Sequence, residues 1–509
     1  MSVCIEKTCD IVVCGGGGAG IVAAAKAASL GKKVILLEKT NRLGGGLSFA
    51  SAARTFGSRW QKERGLPDVT AMFVRNRMNE CYWRLDPQFV SNLIRGTGAF
   101  FDFLCDEGGP GFGDQFIVGR YVFDSEADGQ LGPQTRNGPG GGKRFGAIVV
   151  ETMSEACERY GAELLTGCTV KKLKTSSGRI SEVIAEQDGH PLKIHCDACV
   201  LATGSWINNK ETMEARFPEF LAARPHMFPA PHLSKAYTGD GLSLAQQVGA
   251  KIDTDNFVLR LMGPVLMFNC KSKVMRNMTC CPFILMFNLN GRRFTAESPH
   301  NHYDLFDSGN IQMQQPEGLV FTLFNKENLE AAVTYTVENP PNPKMEGDLE
   351  PFDTDMDANL ADIRVGLEQS PEICMKADTI SELAALTGAD FDSLETTIKS
   401  YNEACASGMD WECFKDSRFL IPMTPPFYVA RSTLRTDGAF GGVAVNPDMN
   451  AYAQNGGTVP GLFVAGDFAS GRHINLGNLK RQVLNDMSAA MSGGFIAGES
   501  AARYVDQLH

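Results

Sequence analysis

The sequence predicts an α/β fold built on a Rossmann-like β–α–β unit, and three observations carry that prediction. An apolar run, Ile11 to Cys14, ends in a glycine turn and leads into the helix-forming "AGIVAAAKAASLG". A second apolar run, "KVILLEK", follows at the distance a parallel strand needs. The alternation returns where "ETMSEACERYGAELLTG" leads into "CTVKKL". After "TGDG" at 238–241 the texture changes. Residues 256–425 are rich in Met, Phe and Pro, with an acidic loop, "KMEGDLEPFDTDMDANLADI", and a helical stretch, "DSLETTIKSYNEACASG". A final helix is expected at about Leu484 to Val505.

Size and composition bound what this fold does. A chain of 509 residues, 43% hydrophobic and 21% charged, is expected to form two or more globular units. A net charge of −11 argues against nucleic acid, whose backbone selects basic surfaces. No apolar run is long enough to span a membrane, and the N-terminus lacks the pattern of a signal peptide, so a cytoplasmic protein is expected. The fifteen cysteines are scattered, many of them in apolar strands. The single C-x-x-C, Cys196 to Cys199, sits on the strand entering "VLATG", where packing is the expected role. No haem or iron–sulfur spacing occurs.

The opening motif binds a dinucleotide if each part does its job. Gly15 makes the tight turn, Gly17 lets the backbone approach a pyrophosphate, and Gly20 lets helix and strand pack closely. The helix N-terminus then presents its positive end to the phosphates. Glu38, eighteen residues past Gly20, is placed to accept from ribose hydroxyls. The glycine-rich stretch 107–148 is too long for a plain connection and suggests loops over a ligand.

The residues that follow choose between dinucleotides. "EKTNRLGGGLSFASA" resembles the E-K-x(3)-G-G stretch of the FAD-dependent fumarate reductase family, which includes succinate dehydrogenase flavoproteins, urocanate reductases and 3-ketosteroid dehydrogenases. "CDACVLATGSWINN", "YTGDGLSLAQQVGA", "LNGRRFTAES", "KADTISELAALTG", "PPFYVA" and "VPGLFVAGDFASG" resemble further segments of that family, in its order. The resemblance implies a glutathione-reductase-like FAD-binding domain at 1–255 and 426–509, with an inserted α+β capping domain at 256–425. It places flavin contacts at Gly15, Gly17, Gly18, Ala19, Gly20, Glu38, Lys39, Gly44, Gly45, Gly46, Ser48, Val170, Ala202, Thr203, Gly204, Asp240, Gly466, Asp467, Asn485 and Met487. Gly44 to Gly46 would lie along the diphosphate, Val170 would meet the adenine, and Asp467 the ribityl chain. The final helix would point its N-terminus at the flavin and favour its anionic reduced form. The first histidine after this Gly-Gly turn is His190, so the flavin is expected to be non-covalent.

The family moves hydride between the flavin and a C=C bond conjugated to a carbonyl. An electrophile must hold the oxygen where charge develops, and an acid must protonate the α-carbon. Counting back along the final helix from Ala497-Gly498 puts Arg481 at the family's substrate arginine, with Arg472 and His473 as weaker candidates. For the acid, the family's fumarate reductases carry an arginine four residues past the glutamate of "RFxxE". Here that glutamate is Glu297, and the position holds Asn301. "AESPHNHYD" instead offers His300, His302 and Tyr303, with His300 where ketosteroid dehydrogenases keep a tyrosine. The family's substrate histidine falls on Arg435 or Gly438. These departures point away from fumarate and toward a larger, partly apolar enone or enoate, reduced with electrons from NAD(P)H, a reduced flavin or a redox protein. Two alternatives stay open: a ketosteroid-type dehydrogenase running in reverse, and a flavoprotein subunit that passes electrons to a partner.

Overall fold

A computed structural model describes residues 4–50, 52–119, 134–136, 144–223, 228–229, 235–265, 270–279, 281–297, 305–338, 352–476, 479–484 and 486–509. The chain divides into two compact units. The first comprises Met1–Arg216, Pro231–Leu259 and Gly438–His509, and the second Phe217–Ala230 and Arg260–Asp437.

The first unit is organised by a six-stranded sheet, in the order Asn450–Tyr452, Thr458–Val464, Ala198–Leu201, Ile11–Cys14, Val34–Leu37 and Glu163–Leu165. All neighbours are parallel except the first pair. Ile11–Cys14 and Val34–Leu37 are buried throughout, as parallel strands covered on both faces must be. Cys196 and Cys199 are buried free thiols, and Cys199 packs against Cys14, Sγ to Sγ, at 3.6 Å. A four-stranded sheet, Ile5–Thr8, His190–His195, Arg179–Gln187 and Cys168–Ser176, belongs to the same unit. Ala52–Arg54, Gln134–Arg136 and Ile117–Gly119 form a three-stranded sheet, so part of the glycine-rich stretch is strand.

Two helices fix the heart of this unit. Gly18–Ser29 is alanine-rich and buried along most of its length. It packs on Asp486–Asp506, the last helix, through small residues. A Cβ placed on Gly494 would come 2.2 Å from the Ala19 carbonyl oxygen, and one on Gly498 2.4 Å from that of Ala23. Only glycine allows backbones to pass this closely. Pro87–Gly108 begins as its sequence directs, with Pro87 in the first turn and Asp86 accepting from the Gln88 and Phe89 amides.

The second unit is built on the long strand Phe427–Phe440. It pairs antiparallel with Val320–Phe324 and with Cys374–Ala377, and Leu285–Asn288 extends the sheet beyond Val320–Phe324. Helices pack on it through two apolar clusters. One contains Met275, Met278, Phe283 and Phe324, the other Phe287, Phe321, Leu394 and Tyr401. The Met- and Phe-rich composition of this region is thus largely core. Phe391–Ser407 is the helix expected from "DSLETTIKSYNEACASG", capped by Asp390 and closed by Gly408 in the left-handed region.

Beneath the second unit's apolar layers lies a buried group of charges. Arg293 donates to both oxygens of Glu297, at 3.2 and 2.6 Å, and meets Asp410 at 2.9 Å. Glu297 also accepts from the Met286 amide at 2.9 Å. Lys415 donates to the Ile284 carbonyl and the Tyr401 hydroxyl, and lies 3.8 Å from Glu297. All four charged side chains are essentially inaccessible to solvent. Burial pushes the Lys415 amine down to about 8, and the Glu297 carboxylate opposes that shift.

Candidate flavin site

The first unit contains a cavity of about 560 Å³, within the usual range for a small-molecule site. Its walls are the ends of the central strands and the turns that follow them. Gly15, with φ +105°, turns the chain, and a Cβ there would lie 2.3 Å from the Ala202 carbonyl oxygen. A Cβ on Gly20 would lie 1.8 Å from the Gly15 carbonyl oxygen, so this glycine sets the approach of helix to strand. Gly17 has nothing within 4 Å of its Cβ direction. It is also the N-cap of Gly18–Ser29, with no side chain capping the amides. Gly15 and Gly20 thus make the turn and the close packing their spacing implies, and the open Gly17 lines the cavity.

A second glycine turn meets the first. Gly44 pairs with Gly17 in a parallel bridge and donates its amide to the Gly16 carbonyl at 2.8 Å. Gly45 and Gly46 continue along the cavity wall into the turn Gly45–Phe49. Glu38 lines the cavity while accepting from the Gly16 and Thr40 amides, each at 2.8 Å. One lone pair on each oxygen is thus engaged, and the others stay available for ribose hydroxyls. Lys39 and Asp240 pair with each other at 2.7 Å, and Thr238 joins both. The hydroxyl of Thr203, another lining residue, is buried without a hydrogen-bond partner. Uncapped helix amides, open glycine turns and an unsatisfied hydroxyl form a polar cradle awaiting a polar ligand.

Ser48, Val170, Ala202, Gly204, Gly466, Asp467 and Met487 also line this cavity, together with Gly18 and Ala19. Asp467 is held by Arg472 at 3.0 Å. Arg472 is wholly buried and donates to the Asp486 carbonyl at 3.4 Å, at the start of the last helix. Burial lowers its pKa and the Asp467 carboxylate opposes the change. Arg472 thus joins Asp467 on the cavity wall to the start of the last helix.

The expected catalytic residues are placed differently. His300, His302, Tyr303 and Asn485 lie outside the described residues. Arg481 lies on the short strand Leu479–Gln482, opposite Ile474 of His473–Leu476. The last helix begins at Asp486, two residues later than expected. Arg481 therefore stands on a hairpin ahead of the helix. Gly438, one of the two positions matching the family's histidine, has φ +154°. The sequence motifs do not single out Tyr237, which lines the cavity just before "TGDG". Its only signal is its place beside that motif.

A family profile described as "FAD binding domain" matches residues 10–475. The chain belongs to this family. It is an FAD-dependent oxidoreductase, and the cradle suits that cofactor. Among curated proteins, it is 25% identical to the vinyl phenol reductase of Lactiplantibacillus plantarum over 92% of each chain. It is 24% identical to the urocanate reductase of Eggerthella lenta, over 97% of this chain and 74% of the relative. Among solved structures, the 3-ketosteroid-Δ4-(5α)-dehydrogenase of Rhodococcus jostii superposes with a TM-score of 0.68, at 21% identity over 97% of each chain. A flavocytochrome c3 fumarate reductase superposes with a TM-score of 0.65, at 21% identity over 98% of this chain and 79% of its own. These two show a shared fold, as the resemblance implied. Among the described residues, no helix of this flavoprotein is long and apolar enough to cross a membrane.

Proposed function

We propose that this flavoprotein reduces an activated C=C bond in a bulky, partly apolar enone or enoate, with FAD held non-covalently. The observation that carries the reading is the dinucleotide cradle, joined to full-length similarity with proteins named as reductases of such bonds. Bound FAD would supply hydride to the β-carbon after taking electrons from an external donor such as NAD(P)H. Arg481 grips the carbonyl or carboxylate oxygen as charge develops there. His300, with His302 and Tyr303 beside it, delivers the proton to the α-carbon. Asn301, standing where the family's fumarate reductases carry their acidic arginine, disfavours fumarate itself. The reverse, ketosteroid-type dehydrogenation draws on a steroid enzyme that shares the fold and on a 4-oxocyclohex-2-ene-1-carboxylate 5-dehydrogenase 22% identical over 62% of this chain. Similarity to named reductases covers more of the chain, which favours the reducing direction.

The test is anaerobic reduction of the enzyme, followed by addition of enones, enoates and vinyl phenols in turn. One class should restore the oxidised flavin spectrum within a turnover time; if none does, the reductase reading fails. Arg481→Ala should then lower that rate roughly a hundredfold or more while FAD stays bound.

A further inference from the structure

Tyr237 crosses the flavin cavity from one glycine turn to another. Its carbonyl accepts from the Asn208 amide at 3.0 Å, which fixes the backbone just before Thr238 and the left-handed Gly239. Its ring lies on Gly204, where a Cβ would come 3.0 Å from Cε1. Gly204 has φ +78°, so the ring covers a position that a side chain would rarely occupy. The hydroxyl then accepts from the Gly46 amide at 2.8 Å, and a Cβ on Gly45 would be 3.4 Å from it. That same Gly45 direction also comes 3.4 Å from Gly17 Cα. The phenol oxygen therefore sits where the pyrophosphate turn at Gly17 and the turn at Gly44–Gly46 converge.

The hydrogen-bond count is incomplete at this atom. A phenol donates one bond and accepts others. Tyr237 accepts from Gly46, while its own O–H meets no acceptor among the described residues. A donor inside a cavity beside two glycine turns is placed to meet an acceptor brought by a ligand, and the ligand group suited to such turns is anionic.

We propose that Tyr237 is an FAD ligand whose hydroxyl braces the Gly44–Gly46 turn and donates its proton to an oxygen of the cofactor's diphosphate. The inference rests on the flavin reading of this cavity. Burial, and after it the Asp467 carboxylate, hold the phenol above its ordinary pKa, so the donor persists through the neutral and mildly alkaline range.

Tyr237→Phe keeps the ring on Gly204 and removes only the hydroxyl. The full chain, stripped of flavin, is titrated with FAD, and the phosphorus resonances of the bound cofactor are recorded for both proteins. The expected result is about tenfold weaker binding, the scale of one charge-assisted hydrogen bond, with a shifted diphosphate resonance. Unchanged affinity overturns the proposal, and so does weaker binding with unshifted resonances, which would leave only a packing role. If the wild-type chain binds no FAD, the flavin reading itself falls, and that result is distinct from either of the others.

Discussion

Two buried polar groups, one in each unit, are arranged in opposite ways. In the second unit, Arg293, Glu297, Asp410 and Lys415 pair with one another around Tyr401, and among the described residues Arg293 Nη1 is left without a hydrogen-bond partner. In the first, the helix amides after Gly17, the turn at Gly44–Gly46 and the Thr203 hydroxyl are arranged around an open space. A mutually paired set of charges fixes a fold, because removing any member strands the others. An open set of donors is costly in an apoprotein and becomes favourable when a ligand completes it. The difference separates a scaffold from a receptor, in terms that need no knowledge of the ligand.

The sharpest way to break this contrast is through the glycine that shapes the receptor. Gly20→Val places carbon where the Gly15 carbonyl oxygen now lies, and neither backbone segment has room to yield. Loss of bound FAD and a large fall in melting temperature are expected. A yellow protein with wild-type stability would show that close packing at Gly20 does not build the cradle. Next in size is Glu297→Ala, which leaves Arg293 and Lys415 buried without their shared carboxylate. A loss of about 3–5 kcal/mol is expected, read as a lower melting temperature. FAD content should stay at the wild-type level, since none of the four charged residues lines the cavity.

The smallest effect is a pH slope. Burial holds the Lys415 amine at about 8 against its ordinary 10.5, so between those values the unfolded chain holds more protons than the folded one. Its linkage therefore raises stability as pH climbs from about 8 to about 10.5, and the cost of burying the charged amine is fully present below that window. Comparing melting temperatures of wild type and Lys415→Met across this range should show the wild type gaining on the variant. Parallel curves would mean that Lys415 titrates normally.

What the sequence made legible follows the same division. The cradle is mostly backbone, and backbone needs are written as glycines at fixed offsets. Gly15, Gly17 and Gly20 could thus be given separate jobs in advance, and the structure shows the turn at Gly15, open space at Gly17 and close packing at Gly20. Side-chain partnerships between distant segments leave no such mark. Tyr237 meeting Gly46, Arg472 engaging Asp467, and Lys415 reaching back to Ile284 are joined only by folding. Glu297 was visible as a motif letter, but its partner Asp410 was not. Helix ends are legible where a cap marks them: Asp390 and Gly408 bracket their helix in sequence, whereas the last helix starts at Asp486, two residues past the expected Leu484.

The central sheet also fixes when the protein can first work. Its strand Thr458–Val464 pairs with Ala198–Leu201, and the last helix must pack on Gly18–Ser29. Gly466, Asp467 and Met487 complete a cavity begun by Gly15 and Gly17. During synthesis, the motif at Gly15–Gly20 therefore waits for segments made much later, across a contact order far above that of a local fold. The early strands, apolar on both faces, spend that interval without their neighbour, in the state where aggregation competes with folding. The flavin cavity is consequently complete only once the chain has been made past Met487.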